Sequence, residues 1–433
     1  MRVPRSAAEL KSRLFNRAAR ASWLGLRGAL AEARQAKHIQ DDMQLVEALD
    51  FSAADLEANR ACLARAALLD ETIRSMNWYL PYFHYAFYGG IHTILRFASG
   101  FLERHGVRTN LIVYDRPDAS AAEMKARVTE AFPSLSSMPL FVLKRTADPV
   151  PDADASIATF WTSAFALMKE RNAKRKFYFV QDYEPLFYQA GSLYAFVEQT
   201  YRFGFPAIVS TPGLYDTVVR EFGTRAVSFT PCTDPAIFFP PKDRRPERPF
   251  RVFFYGRPDT PRNAFEIGLS ALRRFKARRG DAVEVLVAGS HFPESIKAAS
   301  PGIRFMGLLP YRETGALYRS CHAGLALMLT KHPSYLPFEL MSCGAVPVVN
   351  ENPANKWLLR HDENAVMVEP TPTLLCDALE QLMDRPEWRD RLSAAGAELV
   401  RGYDWVTQID RVIAFMNGDL DTRADRGNAA ARP

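Results

Sequence analysis

At 433 residues and 48.8 kDa the chain exceeds what one ordinary core organises and suffices for two. Its 48% hydrophobic and 24% charged residues are those of a soluble globular protein. The excess of 55 Lys+Arg over 49 Asp+Glu falls far below what a nucleic-acid binder carries along a face. No uninterrupted run of about 18 apolar residues offers a transmembrane helix. Arg2 and Arg5 lack the apolar stretch of a secretory signal. Cys62, Cys232, Cys321, Cys343 and Cys376 are scattered, without Cys-x-x-Cys or zinc spacing, so reduced thiols in a cytoplasmic protein are expected.

Residues 1–40 hold nine Lys/Arg against two acids, a local charge of +7. Leu10, Leu14, Ala18, Trp23, Leu26 and Leu30 recur there at helical spacing. Two readings stay open: a helix lying on anionic membrane with Trp23 at the interface, or a surface helix docked on the protein body. A helical extension is expected over 1–75.

From residue 76 apolar, β-branched and aromatic runs alternate with helical stretches. Strands are expected at Met76–Leu80, Leu111–Tyr114, Leu140–Leu143, Phe177–Val180, Ala207–Ser210 and Ala226–Phe229. Helices are expected at Ile91–Arg104, Ala119–Ala131, Ser192–Phe203 and Leu214–Phe222. This alternation marks a parallel sheet covered on both faces, a first domain over 76–238. The stretch 239–249 holds four prolines and six charges and reads as a linker.

The alternation then restarts, with strands expected at Phe250–Tyr255, Val283–Ala288, Ile303–Met306, Ala323–Leu329, Val346–Asn350 and Ala365–Val368. Helices are expected near Arg262–Arg279, Arg312–Arg319, Phe338–Cys343 and Leu374–Asp384. A second domain over 239–402, a last helix over about 403–417 and a polar tail over 418–433 complete the chain. Ligands of such sheets bind beyond the C-terminal strand ends, so two of them predict a cleft.

There is no G-x-G-x-x-G, Walker A or H-E-x-x-H motif. Asp152/Asp154 and Asp419/Asp421 have Asp-x-Asp spacing, but in a Pro-rich loop and in the tail, so no metal site is expected. Gly256 turns the chain at a strand end, and Arg257 and Arg262 then stand where a phosphate is welcome. Glu339 falls in the first turn of a short apolar helix. It either compensates the helix dipole or accepts hydrogen bonds from vicinal hydroxyls.

The series Gly256-Arg257, Ala288-Gly289-Ser290, Phe305-Met306-Gly307-Leu308, Pro333 to Glu339, Cys343 to Val348, Asn364-Ala365-Val366 and Tyr403-Asp404-Trp405 resembles the donor domain of retaining GT-B glycosyltransferases. Tyr88-Gly89-Gly90 and Thr230 to Phe238 are similar to elements of that family's first domain. Val180 to Phe187 together with His332-Pro333-Ser334-Tyr335 resembles the WsaF-type rhamnosyltransferases.

The resemblance implies a GT-B architecture: an α/β protein of two Rossmann-like doubly wound domains facing a cleft, with a helical N-terminal extension. It implies an acceptor-side first domain, and a last helix (Thr407–Met416) that returns to it. It implies transfer of a deoxyhexose, L-rhamnose from dTDP-L-rhamnose, with retention, to a sugar hydroxyl of an oligosaccharide or lipid-linked surface glycan. No cofactor beyond the nucleotide sugar is expected.

Donor contacts are implied at Gly89, Gly90, Gly256, Arg257, Arg262, Gly307, Leu308, Lys331, His332, Ser334, Tyr335 and Glu339. Arg257 and Arg262 would face the diphosphate, Gly307 and Leu308 the base, and Glu339 the nucleoside sugar. The family's other glutamate, eight residues before Glu339, is replaced by Lys331, a departure that disfavours generic hexose donors. Asp182 is carried as a catalytic candidate, with His84 and His92 as further conjectures. A GDP- or UDP-hexose donor and a non-catalytic glycan-binding relative remain the alternatives. The expected place of work is the cytoplasm, in peripheral contact with the inner face of an anionic membrane.

Overall fold

The computed structural model describes residues 32, 36–87, 89–145 and 148–419. Its first sheet has seven parallel strands: β1 Ser75–Leu80, β2 Arg108–Val113, β3 Leu140–Val142, β4 Ala155–Ala158, β5 Arg175–Val180, β6 Ala207–Ser210 and β7 Ala226–Phe229. They run in the order β3-β2-β1-β4-β5-β6-β7. The chain therefore reverses its direction of travel between β1 and β4. β5 is buried at every residue, as a strand covered on both faces must be.

The second sheet has six parallel strands: β8 Phe250–Tyr255, β9 Val283–Ala288, β10 Ile303–Gly307, β11 Ala323–Leu325, β12 Val346–Asn350 and β13 Val366–Val368. Their order is β10-β9-β8-β11-β12-β13, so the reversal falls between β8 and β11. Both sheets are thus doubly wound, the GT-B arrangement expected from the sequence.

Three departures have physical reasons. β4 was not anticipated, because Ala-Ser-Ile-Ala lacks the bulky β-branched run that marks a strand. The helix Trp161–Lys169 was missed too: seven of its nine residues are buried, leaving no polar face to reveal its period. The strand expected over Ala323–Leu329 ends at Leu325, and the chain runs on until the Leu329 amide donates to the Arg262 carbonyl at 2.8 Å.

The last helix, Trp405–Asn417, opens on Asp404, whose carboxylate accepts from the Thr407 amide at 2.8 Å. Its buried face, Ile409, Val412, Phe415 and Met416, joins the core built by Trp78, Phe97, Phe101 and Val227 of the first domain. A methyl group at Gly100 would stand 2.4 Å from Ile409, so that glycine is what lets the helix return so closely.

The proline-rich stretch before β8 is not a loose tether. Arg245 donates to the carbonyls of Arg319 (2.6 Å) and Gly344 (2.8 Å), and Glu247 pairs with buried Arg389 at 2.9 Å. These bonds strap it to the second domain.

The extension is docked where it is described. Ser52 and Asp55 form a capping box that starts the helix Ala53–Ala66. Asn59 donates to the Phe203 carbonyl at 2.9 Å, and Arg175 to those of Leu69 (3.0 Å) and Glu71 (2.7 Å). Lys176 is buried beneath and donates to the Glu170 carbonyl at 2.7 Å. Leu49 is buried and Leu45, Phe51 and Leu56 pack against the same core. The two readings of residues 1–40 are left open, since Trp23 and most of the basic residues there lie outside the described residues. The same is true of Asp421. Among the described residues no helix is long and apolar enough to cross a membrane.

Candidate active site

The C-terminal strand ends of the two sheets meet. Asp182, two residues beyond β5, lies 3.7 Å from the Arg262 guanidinium of the second domain. Arg262 stands on the short turn Pro261–Asn263 and stacks over Phe187 at 4.1 Å, which fixes its plane. Asp182 is 13% exposed and accepts from the Tyr183 amide at 2.8 Å. Burial pushes its carboxyl up, opposed by neighbouring Thr330 and by Arg262.

Two residues on, Glu184 is buried and turned the other way. Its carboxyl accepts from the Trp161 amide (2.9 Å), at the start of Trp161–Lys169, and from the Tyr178 hydroxyl (3.2 Å). Burial pushes it up as well. Glu184 lies inside the Val180 to Phe187 motif, with no role expected of it from the sequence. The available signal was a second acid beside Asp182 at the end of an apolar strand.

On the donor half, Gly256 is required by space: a Cβ would meet Phe265 at 2.9 Å and Val287 at 3.0 Å. Gly307 is required by conformation, with φ of 73°, and its carbonyl accepts from the Gly289 amide at 2.8 Å. Leu308, next to that turn, is 44% exposed and free to cover a flat ligand. Arg257 makes no ion pair or side-chain hydrogen bond among the described residues; its nearest ring, Tyr255, is 6.0 Å away.

The Glu339 carboxyl, on the helix Leu336–Ser342, likewise lacks a hydrogen bond or ion pair among the described residues. The residue is half-exposed, yet its carboxyl is recessed, and that desolvation pushes it up to about 8. A carboxyl held in a recess without a protein partner suits hydroxyl donors from a ligand.

Three side chains of the segment 331–335 reach across to the first domain. Lys331 pairs with Glu221 at 3.2 Å and lies 5.4 Å from the Tyr183 ring, so its ammonium is already engaged. The His332 Nδ1 accepts from the Ser334 amide at 2.8 Å, which leaves its Nε2–H to donate to the Ser210 hydroxyl at 3.1 Å. Burial, then Arg262, pushes this ring down to about 3, so it is neutral and structural. Ser334 takes φ of 63° to make the turn. The Tyr335 hydroxyl meets that of Thr93 in the first domain.

Gly89 and Gly90 open the helix Gly89–His105. A Cβ on either would make only ordinary contacts, 3.4 Å to the Tyr335 ring and 3.6 Å to Gln181. Their effect is to leave the first turn free of side chains on the cleft side.

Among the described residues the histidine conjectures receive no catalytic partner. His92 lies against Phe132 (4.9 Å) and Tyr311 (5.1 Å), and burial followed by Arg96 pushes it down to about 3. His84 is exposed and meets the Tyr82 ring edge-on at 5.0 Å. Asp154 is a staple at the N-terminal edge of the first sheet: it accepts from the Arg74 (3.0 Å) and Ser75 (3.1 Å) amides and pairs with Lys174 at 2.9 Å. Among the described residues Cys376, Asp377 and Glu380 have the spacing of metal ligands, but both acids are paired with Arg278.

Comparison with known proteins gives this geometry a family. Residues 75–210 match the model described as WsaF, N-terminal domain, and residues 250–380 the one described as WsaF, C-terminal domain. An O-antigen biosynthesis protein, RfbC, of Myxococcus xanthus is 42% identical over 399 residues, 90% of this chain and 30% of that protein. A phosphatidyl-myo-inositol mannosyltransferase of Mycobacterium leprae is 32% identical over 170 residues, 37% of this chain and 45% of the relative. The chain thus spans less than half the length of either relative.

Among solved structures, Anabaena Alr3699/HepE in complex with UDP and glucose superposes with a TM-score of 0.60 at 13% identity, covering 80% of this chain and 100% of the other. Sucrose-phosphate synthase of Thermosynechococcus elongatus does so with a TM-score of 0.56 at 15% identity, covering 83% and 100%. At such identities the likeness is one of fold.

Proposed function

The chain belongs to the WsaF family, and from that premise we propose that it is a nucleotide-sugar-dependent glycosyltransferase of surface-glycan assembly. The observation that carries the reading is a pair of groups on the second domain that make no ion pair or side-chain hydrogen bond among the described residues, the Arg257 guanidinium and the Glu339 carboxyl. A folded protein seldom leaves a recessed carboxyl unpaired unless a ligand completes it.

In this reading Glu339 accepts the hydroxyls of the nucleoside sugar, and the turn at Gly307 and Leu308 receives the base. Arg257 and Arg262 face the diphosphate. When the glycosidic bond breaks, negative charge grows on the departing phosphate, and fixed guanidinium groups in a recess stabilise it without reorganising. The helix Leu336–Ser342 adds little dipole, being seven residues long with an acid in its first turn. Two cations so placed leave no charge that a divalent metal must neutralise, so activity should survive EDTA.

The proposed donor is dTDP-L-rhamnose, used with retention of configuration, the leaving phosphate assisting the incoming sugar hydroxyl. The lack of a second carboxylate at position 331, where Lys331 pairs with Glu221 instead, supports a deoxyhexose over a hexose. The proposed acceptor is a lipid-linked glycan at a membrane face, where the +7 of residues 1–40 gives weak attraction to anionic headgroups.

A panel of dTDP-, UDP- and GDP-sugars, assayed for released nucleotide with and without EDTA, tests the reading. Release from dTDP-L-rhamnose alone is expected. Release only from a hexose donor would overturn the donor assignment, and release from none would favour a binding protein.

A further inference from the structure

Three side chains of the segment 331–335 leave the second domain and end on three different elements of the first. Lys331 reaches Glu221 on the helix Pro212–Phe222, His332 reaches Ser210 at the end of β6, and Tyr335 reaches Thr93 on the helix Gly89–His105. They do not carry equal weight. The Lys331 pair is over a third exposed on both sides, so solvent screens it. His332 is held first by its own loop, through the Ser334 amide.

Tyr335 differs because its bond is the end of a chain. The Thr93 hydroxyl donates to the Gly89 carbonyl at 2.6 Å, so its oxygen lone pair is what Tyr335 meets, and the Tyr335 O–H must be the donor. The relay runs from Tyr335 through Thr93 into the first turn of the helix. The Tyr335 ring also lies 3.4 Å from where a Cβ on Gly89 would stand, so ring and hydroxyl both seat against that turn. Four residues further along the chain from Tyr335 is Glu339, on the helix that Tyr335 opens.

We infer that Tyr335 and Thr93 are positioning residues, a latch that sets the Gly89-Gly90 turn of the acceptor-side domain at a fixed distance from the donor half. The inference rests on the transferase reading. It predicts that breaking the latch lowers the rate of transfer while leaving nucleotide binding at Arg257, Gly307, Leu308 and Glu339 of the second domain as it was.

Tyr335→Phe and Thr93→Val should each lower kcat about tenfold, the effect of one lost hydrogen bond felt in the transition state. The double variant should be no slower than the slower single one, because both remove the same link. Thr93→Ser keeps the hydroxyl and should restore the wild-type rate. The Kd for dTDP should be unchanged throughout. Multiplying effects in the double variant, or a Kd that rises with the loss of rate, would overturn the latch, the latter by making Tyr335 a donor contact.

A second measurement stands apart from activity, so that failure of the latch and failure of the transferase reading can be told apart. All five native cysteines are buried, and Glu130 and Glu387 are exposed on different domains. Spin labels on Glu130→Cys and Glu387→Cys should give a narrow distance distribution that broadens in Tyr335→Phe. An identical distribution in both backgrounds would refute the latch whatever the enzyme does.

Discussion

A single methyl group at Gly213 should slow the proposed transfer without unfolding the chain. Gly213 lies in the first turn of the helix Pro212–Phe222, with an ordinary helical φ, so alanine is tolerated by the backbone. Within a helix the change should be neutral or stabilising by up to about 0.5–1 kcal/mol. The obstacle is the other domain. The added Cβ would stand 1.9 Å from the Ala354 carbonyl oxygen and 2.9 Å from its carbon. A carbon and a carbonyl oxygen approach to about 3.3 Å at closest, so the domains must part locally by roughly 1.4 Å. The obstructing atom is backbone, on the short turn Pro353–Asn355, and has no rotamer by which to yield. A displacement of about 1 Å at reacting groups can cost 10²-fold in rate. Gly213→Ala should therefore lose about 10²-fold in transfer, with an unfolding midpoint at or above wild type and an unchanged Kd for dTDP. Transfer at the wild-type rate would show that the domain approach seen here is not the productive one.

Three further outcomes are expected. Arg257→Ala should lower kcat by about 10²–10³, with thermal unfolding unaltered because no protein partner is lost; an unaltered rate would remove Arg257 from the chemistry. The Glu339 carboxyl sits near 8 against an ordinary 4.5, so between those values the folded state holds more protons than the unfolded one and stability falls as pH rises. Glu339→Gln should thus raise the unfolding midpoint at pH 9 relative to wild type, do little at pH 4, and weaken dTDP binding; equal stability differences at both pH values would contradict the recess. The full chain should co-sediment with anionic vesicles at low salt and be released by added salt. Removing residues 1–40 should abolish that association and leave dTDP binding intact, whereas loss of dTDP binding on truncation would make the segment a brace.

The two doubly wound domains were legible because buried parallel strands carry apolar runs, and β1, β5, β8 and β9 each hold one, at Trp78–Leu80, Phe177–Val180, Val252–Tyr255 and Val285–Ala288. β4 was not, since a single Ile157 among Ala155, Ser156 and Ala158 is too weak a strand signal, and the segment gains its place from the neighbours on either side. The site was legible where one local reason sufficed: Gly256, Arg257, Gly307 and Glu339 each follow a strand end or open a helix. What joins the domains left no such mark. Ser210 and His332 are 122 residues apart, Thr93 and Tyr335 are 242 apart, and nothing near Gly213 announces the Ala354 carbonyl. For the same reason Lys331, His332 and Tyr335 read as donor contacts in the chain and serve as bridges in the fold.

The central claim is that the donor half binds a nucleoside diphosphate through Arg257 and Glu339. Calorimetric titration of the wild-type chain with dTDP, and in parallel with UDP and GDP, addresses it directly. One site is expected, tightest for dTDP, weakened at least tenfold in Arg257→Ala, about the worth of one charge-assisted bond. Heat of binding absent for all three nucleotides, or indifferent to Arg257→Ala, would contradict it.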